Sequence, residues 1–107
     1  MPIVRIDYDD NKISEGNVVT LSEAIQKIVS GVTGIEDVFV YAGSPQIKIK
    51  AAPLEIFIEM SAHKIDNLDE LMDKVKSRLS EWKKEKNFKY PINLTIIPMQ
   101  WKVETDI

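Results

Sequence analysis

No cysteine occurs anywhere in the chain of 107 residues. That absence excludes disulfides, thiolate nucleophiles and thiolate metal sites, and it agrees with a reducing cytoplasm, where the protein is expected. Histidine is almost as scarce. His63 stands alone, so a centre built on several imidazoles is excluded, and neither a metal nor a cofactor is expected. Long apolar runs are missing too: stretches such as Val38 to Ala42 fall far short of the ~20 residues that span a bilayer, and no basic segment with a long apolar run behind it opens the chain. A membrane is therefore not an expected partner. There is no phosphate-cradling glycine motif, no strained elbow around a nucleophilic serine and no cation-loop spacing. Cations are in slight deficit, 14 Lys and Arg against 17 Asp and Glu for a net charge of −3, which argues against nucleic acid as the main partner. The one local excess runs from Lys74 to Lys89, with only Glu81 and Glu85 opposing it. It reads as a solvated helix face and C-terminus, where cations collect against the helix dipole.

What is present suffices for a core. At 44% hydrophobic residues, a chain of this length fits one domain over residues 1–107, able to bury about two-thirds of its unfolded surface without a staple. It also repeats itself. Leu21-Ser22-Glu23-Ala24-Ile25-Gln26-Lys27-Ile28 recurs as Leu68-Asp69-Glu70-Leu71-Met72-Asp73-Lys74-Val75, dividing the chain into 1–45 and 46–107. Thr20 with Glu23 has the spacing of a capping box, and Asn67 with Glu70 is its near equivalent. Apolar residues three and four apart follow each cap: Leu21, Ala24, Ile25, Ile28, Val29 and Val32, then Leu68, Leu71, Met72, Val75, Leu79 and Trp82. The spacing predicts amphipathic helices near 20–31 and 67–86, with Met72 and Trp82 in the core.

Strand-like segments flank both helices. Ile3 to Tyr8 and Leu54 to Met60 precede them, each opened by a proline, and Val38 to Ala42 and Ile92 to Ile97 follow. Ile47-Lys48-Ile49-Lys50 alternates as a short strand after a Gly43-Ser44-Pro45 turn. Pro98 is expected to end the strand before it, leaving Gln100 to Thr105 as a terminal edge strand. The order is strand, helix, strand, twice, with parallel pairs and right-handed crossovers. This is an α/β (α+β) fold: a four-stranded mixed sheet, two helices on one face and short extra strands. The opposite sheet face, carrying Phe57, Ile97 and Val103 or their neighbours, is too apolar to stay wet, so self-association is expected. A ferredoxin-like module has the same order of elements and differs in topology.

Chemistry enters at Met1-Pro2. Removal of Met1 would make Pro2 a secondary amine, a base that needs no side chain. A terminal amine titrates near ~8, and an apolar pocket disfavours its protonated form, so at neutral pH it can accept a proton from carbon.

Proline after the initiator, two β-α-β units each opened by proline, and the Thr33-Gly34 step after the first helix together resemble the tautomerase superfamily, the group of macrophage migration inhibitory factor and the oxalocrotonate and carboxymethyl-hydroxymuconate isomerases. The ending Leu94-Thr95-Ile96-Ile97-Pro98-Met99-Gln100 is similar to that of a tautomerase-like family of small bacterial proteins known by its fold rather than by a reaction. The resemblance implies a trimer with pockets between neighbouring subunits and the terminal proline as base in keto–enol chemistry. Pro2 matches that pattern. Ile35 stands where the inhibitory-factor group often has a lysine, Asn93 and Thr95 are the nearest counterparts of its pocket tyrosine and asparagine, and Lys64 falls where that group also carries a lysine.

Proton transfer beside a carbonyl also needs a cation or donors for the enolate oxygen. Arg5, Lys48, Lys50 and Lys64 are the cationic candidates, and Thr95 and Gln100 the neutral donors. Arg5 lies an odd number of residues from Pro2, so the two project to opposite faces of a strand, and only a neighbouring subunit's Arg5 could meet it. Trp101 lines a pocket or packs at a subunit contact. His63, at a strand end, is a minor acid–base candidate. Asp9-Asp10-Asn11-Lys12 reads as a turn. Two functions follow: a cofactor-free tautomerase or isomerase acting on a small keto or enol acid through Pro2, or a non-catalytic oligomer of the same fold that binds a small carboxylate or a protein.

Overall fold

The computed structural model describes residues 1–107. Four strands, β1 (Ile3–Tyr8), β2 (Phe39–Gly43), β3 (Leu54–Ser61) and β4 (Asn93–Met99), form one sheet in the order β2-β1-β3-β4. β1 pairs parallel with β2, antiparallel with β3, and β3 pairs parallel with β4. Each β-α-β unit thus joins two adjacent strands. A ferredoxin-like sheet splits each unit by inserting a third strand between them, so that alternative is excluded.

Alternation sorts the sheet into two faces. Val4, Ile6, Ile56, Ile58 and Ile96 are buried on one face, in a single cluster with Leu21, Ile25 and Val29 of α1 (Glu15–Thr33) and Val75 and Leu79 of α2 (Leu68–Glu85). Both helices therefore cover the same face. Trp82, Phe88 and Tyr90 close the far end of α2, with ring centroids 5.1 and 5.3 Å apart in succession. The opposite face carries Ile3, Phe39, Phe57 and Ile97 around an Arg5–Glu59 ion pair, and no other element covers it.

Several expectations are corrected. α1 begins at Glu15 rather than near Thr20, because Ser14 caps it by accepting from the Asn17 amide at 3.3 Å. Ile13 before that cap and Val18 after it are both buried, a hydrophobic staple that extends the apolar stripe backwards. Thr20 then lies inside the helix and donates to the Gly16 carbonyl instead of capping. At α2 the Asn67 cap stands, accepting from the Glu70 amide at 3.0 Å, but the Glu70 carboxylate pairs with Lys74 rather than reaching back.

Residues 47–50 form no strand, since the sheet offers them no neighbour and Lys48 is drawn into hydrogen bonds of its own. Pro98 does not end β4, which runs on to Met99 with Pro98 opposite Met60. β4 is an edge strand, where a missing amide costs no ladder bond if it faces outward. Residues 100–105 form no strand within the protomer either, and Val103 lies half-exposed beyond the sheet. α1 stops where expected: Gly34, at φ 73°, takes the left-handed turn after Thr33 and donates to the Ser30 carbonyl at 2.8 Å.

Candidate functional site

The antiparallel register of β1 and β3 and the parallel register of β3 and β4 decide which residues can meet. Pro2 lies at the start of β1, the same end of the sheet as the C-terminal ends of β3 and β4. Its side chain is fully buried, and its carbonyl accepts from the Phe39 amide at 3.2 Å. Gathered at this end are Ser61, the turn Ala62–Lys64, the close of α1 at Thr33, and Gln100 and Trp101 just beyond β4. A pocket of about 190 Å³ opens there between Val32, Thr33, Met60, Lys64, Ile65 and the first turn of α2. Lys64 is exposed and pairs with no carboxylate.

Lys48 sits at the other end. β1 separates it from Pro2 by six residues, roughly 20 Å at ~3.3 Å each, so within one protomer the two cannot serve one substrate. Its ammonium donates to Asp10 Oδ1 at 3.0 Å, Ser44 Oγ at 3.0 Å and the Pro45 carbonyl at 2.9 Å, with Asp9 4.0 Å away. The hydrogen bond from Lys48 holds the Asp10 carboxyl below its usual value, against a smaller opposing effect of desolvation and with help from the lysine charge and Ser44. Asp9 is itself buried, its Oδ1 accepting from the Asn11 amide at 3.0 Å. The wide cavity of about 710 Å³ at this end is lined mostly by polar residues, among which Lys12 and Lys48 face Asp9 and Asp10 while Lys50 pairs with no carboxylate. Lys50 borders it, also far from Pro2.

Arg5 and Thr95 lie on the uncovered sheet face, in one row with Tyr41 and Phe57. Arg5 points away from the buried Pro2, Val4 and Ile6, as alternation predicts, and is engaged by Glu59. The single chain therefore brings Lys64, Gln100 and Trp101 to the Pro2 end and leaves Arg5, Thr95 and Lys48 elsewhere.

Sequence reasoning underrated one pair. Ser61, buried at the last position of β3, has its Oγ 2.5 Å from His63 Nδ1. The spacing Ser-x-His at a strand end was the available signal, but only the tight turn after β3 folds the ring back onto the serine.

No family model matches the sequence, and no curated protein matches it. Solved structures do. Malonate semialdehyde decarboxylase superposes with a TM-score of 0.70 at 8% identity, covering 98% of this chain and 92% of that one. A domain of unknown function from Sebaldella termitidis ATCC 33386 gives 0.69 at 12% identity, covering 100% and 98%. A fused wild-type 4-OT, an asymmetric trimer, gives 0.67 at 11%, covering 94% and 91%. At such identities the likeness concerns the backbone. The chain has the fold of the tautomerase superfamily.

Proposed function

We propose that this protein is a cofactor-free tautomerase or isomerase that moves a proton on a small keto or enol acid, with the imino group of Pro2 as base after removal of Met1. The observation that carries the reading is the burial of Pro2 at the end of a central strand, the same end of the sheet at which a pocket opens whose only unpaired cation is Lys64; Pro2 itself does not line that pocket. An apolar setting favours the neutral amine, the form that takes a proton from carbon. Lys64 holds the substrate carboxylate, and Gln100 and Trp101 follow β4 at the same end of the sheet. The pocket is smaller than the ~300–1,000 Å³ usual for drug-sized ligands, which suits a small organic acid.

The similar malonate semialdehyde decarboxylase is described with decarboxylase and hydratase activities and as a variant with its leading proline replaced by alanine. That supports giving Pro2 the same weight here. In this reading the chain self-associates as a homotrimer, which the similar fused 4-OT, an asymmetric trimer, supports. Trimerisation covers Phe39, Phe57 and Ile97 and lets Arg5 or Thr95 of one subunit approach the Pro2 end of the next. Light scattering checks this, and a monomer mass at micromolar concentration would contradict it.

Intact mass of protein from its own host establishes whether Met1 is removed. If it is, ketonisation of phenylpyruvate enol is expected, falling at least about a hundredfold in Pro2→Ala, the scale of a lost general base. Retained Met1, or turnover indifferent to Pro2, would leave the non-catalytic binding oligomer as the better reading.

A further inference from the structure

Pro2 can move the proton on carbon, but ketonisation also needs a group for the proton on oxygen. We infer that His63, held by Ser61, is that second acid–base group, an inference that rests on Pro2 being the base. The β1–β3 ladder ends at Ile3 opposite Glu59. Continuing the register one step sets Pro2 beside Met60, and a second step sets Met1 beside Ser61. Cleavage after Met1 therefore uncovers the imino nitrogen at the end of the sheet where β3 closes at Ser61. His63 follows two residues later and turns back so that Nδ1 lies 2.5 Å from Ser61 Oγ. Nε2 is left free, on an exposed ring. A histidine exchanges protons near neutrality, and this is the only one in the chain.

The step balances. Neutral Nε2 takes the enol proton, and the O–H pair becomes the second bond of the carbonyl. Ketonisation is the reverse of the abstraction from carbon, so Pro2 starts the step protonated by solvent, and the C=C pair takes that proton, forming the new C–H bond. Pro2 is left neutral and His63 cationic, and both exchange with solvent. For Nε2 to accept, the neutral ring carries its proton on Nδ1 and donates it to Ser61 Oγ; that bond becomes charge-assisted when the step makes the ring cationic. Ser61 is a positioning residue in this scheme. The charged groups around the pair are Lys64 and Asp66 in the following turn, Glu59 with Arg5 one pair back on the same sheet face, and Lys102 beyond Met99, the partner of Ser61 in β4.

The test is the pH profile of phenylpyruvate enol ketonisation by Met1-processed protein. Wild type is expected to give a bell, with the acid limb from His63 and the alkaline limb from Pro2. His63→Gln should lower kcat at least about tenfold, leave KM unchanged, and abolish the acid limb while keeping the alkaline one. Ser61→Ala, checked for an unchanged melting temperature, should lower kcat with KM unchanged, because the ring loses the contact that orients it. Full turnover with both limbs in His63→Gln would overturn the role of His63 and leave that of Pro2 standing, provided Pro2→Ala is inactive. An inactive processed wild type would overturn both.

Discussion

At one end of the sheet Lys48 donates to a carboxylate, a hydroxyl and a carbonyl; at the other Lys64 borders a pocket with no partner at all. The larger cavity, about 710 Å³ against about 190 Å³, belongs to the first. Size is a poor guide here. A satisfied ammonium gains little by meeting a substrate, because an incoming carboxylate must displace Asp10, whereas an unpaired one gains a charge-assisted bond. The Lys48 end reads as a clamp that fastens the long β2–β3 connection to the end of β1. The Lys64 end, with buried Pro2 and the Ser61–His63 pair, has groups left over for chemistry.

Pairs of substitutions can break that contrast. The largest difference is expected in catalysis: Lys64→Ala should raise KM for a keto acid about tenfold, the low end for a hydrogen bond to a charged group, while Lys48→Met leaves KM unchanged. Equal effects would mean that a neighbouring subunit's Lys48 reaches the site. Stability should show the reverse. Lys48→Met loses bonds to Ser44 and Pro45 and should cost about 1–2 kcal/mol in urea unfolding, with Lys64→Ala neutral.

The smallest effect is that of acid. Asp10 has its carboxyl lowered by the Lys48 hydrogen bond, so its contribution is complete above the unfolded value near ~3.9 and fades as pH falls through the lower folded one. Wild type should therefore lose part of its stability below about pH 4 that Lys48→Met has already lost. Parallel acid curves for the two proteins would show that the clamp is not what lowers Asp10.

Much of the fold was legible because the residues that set it act locally. Ile56, Ile58 and Met60 alternate with Glu55, Phe57 and Glu59, and the face they define is the buried one. The start of α1 was hidden because two capping signals compete, and Ser14 wins only through the burial of Ile13 and Val18, a tertiary fact. Ile47 to Lys50 and Gln100 to Thr105 have strand-like alternation but no partner strand in the protomer, and alternation cannot supply one. Pro2 was legible as a candidate, and its burial was not. Lys48 and Lys64 look alike in sequence, and only the register of β1 with β3, together with the chain's return past Ser44 and Pro45, separates a clamp from a free cation.

The same chain prepared with Met1 retained and with Met1 removed differs at one bond, the one that makes Pro2 an amide or an amine. Measured side by side for ketonisation of phenylpyruvate enol, the processed protein should turn over and the unprocessed one should fall to the background rate, with identical melting temperatures. Equal rates from the two preparations would contradict the assignment of Pro2 as the base.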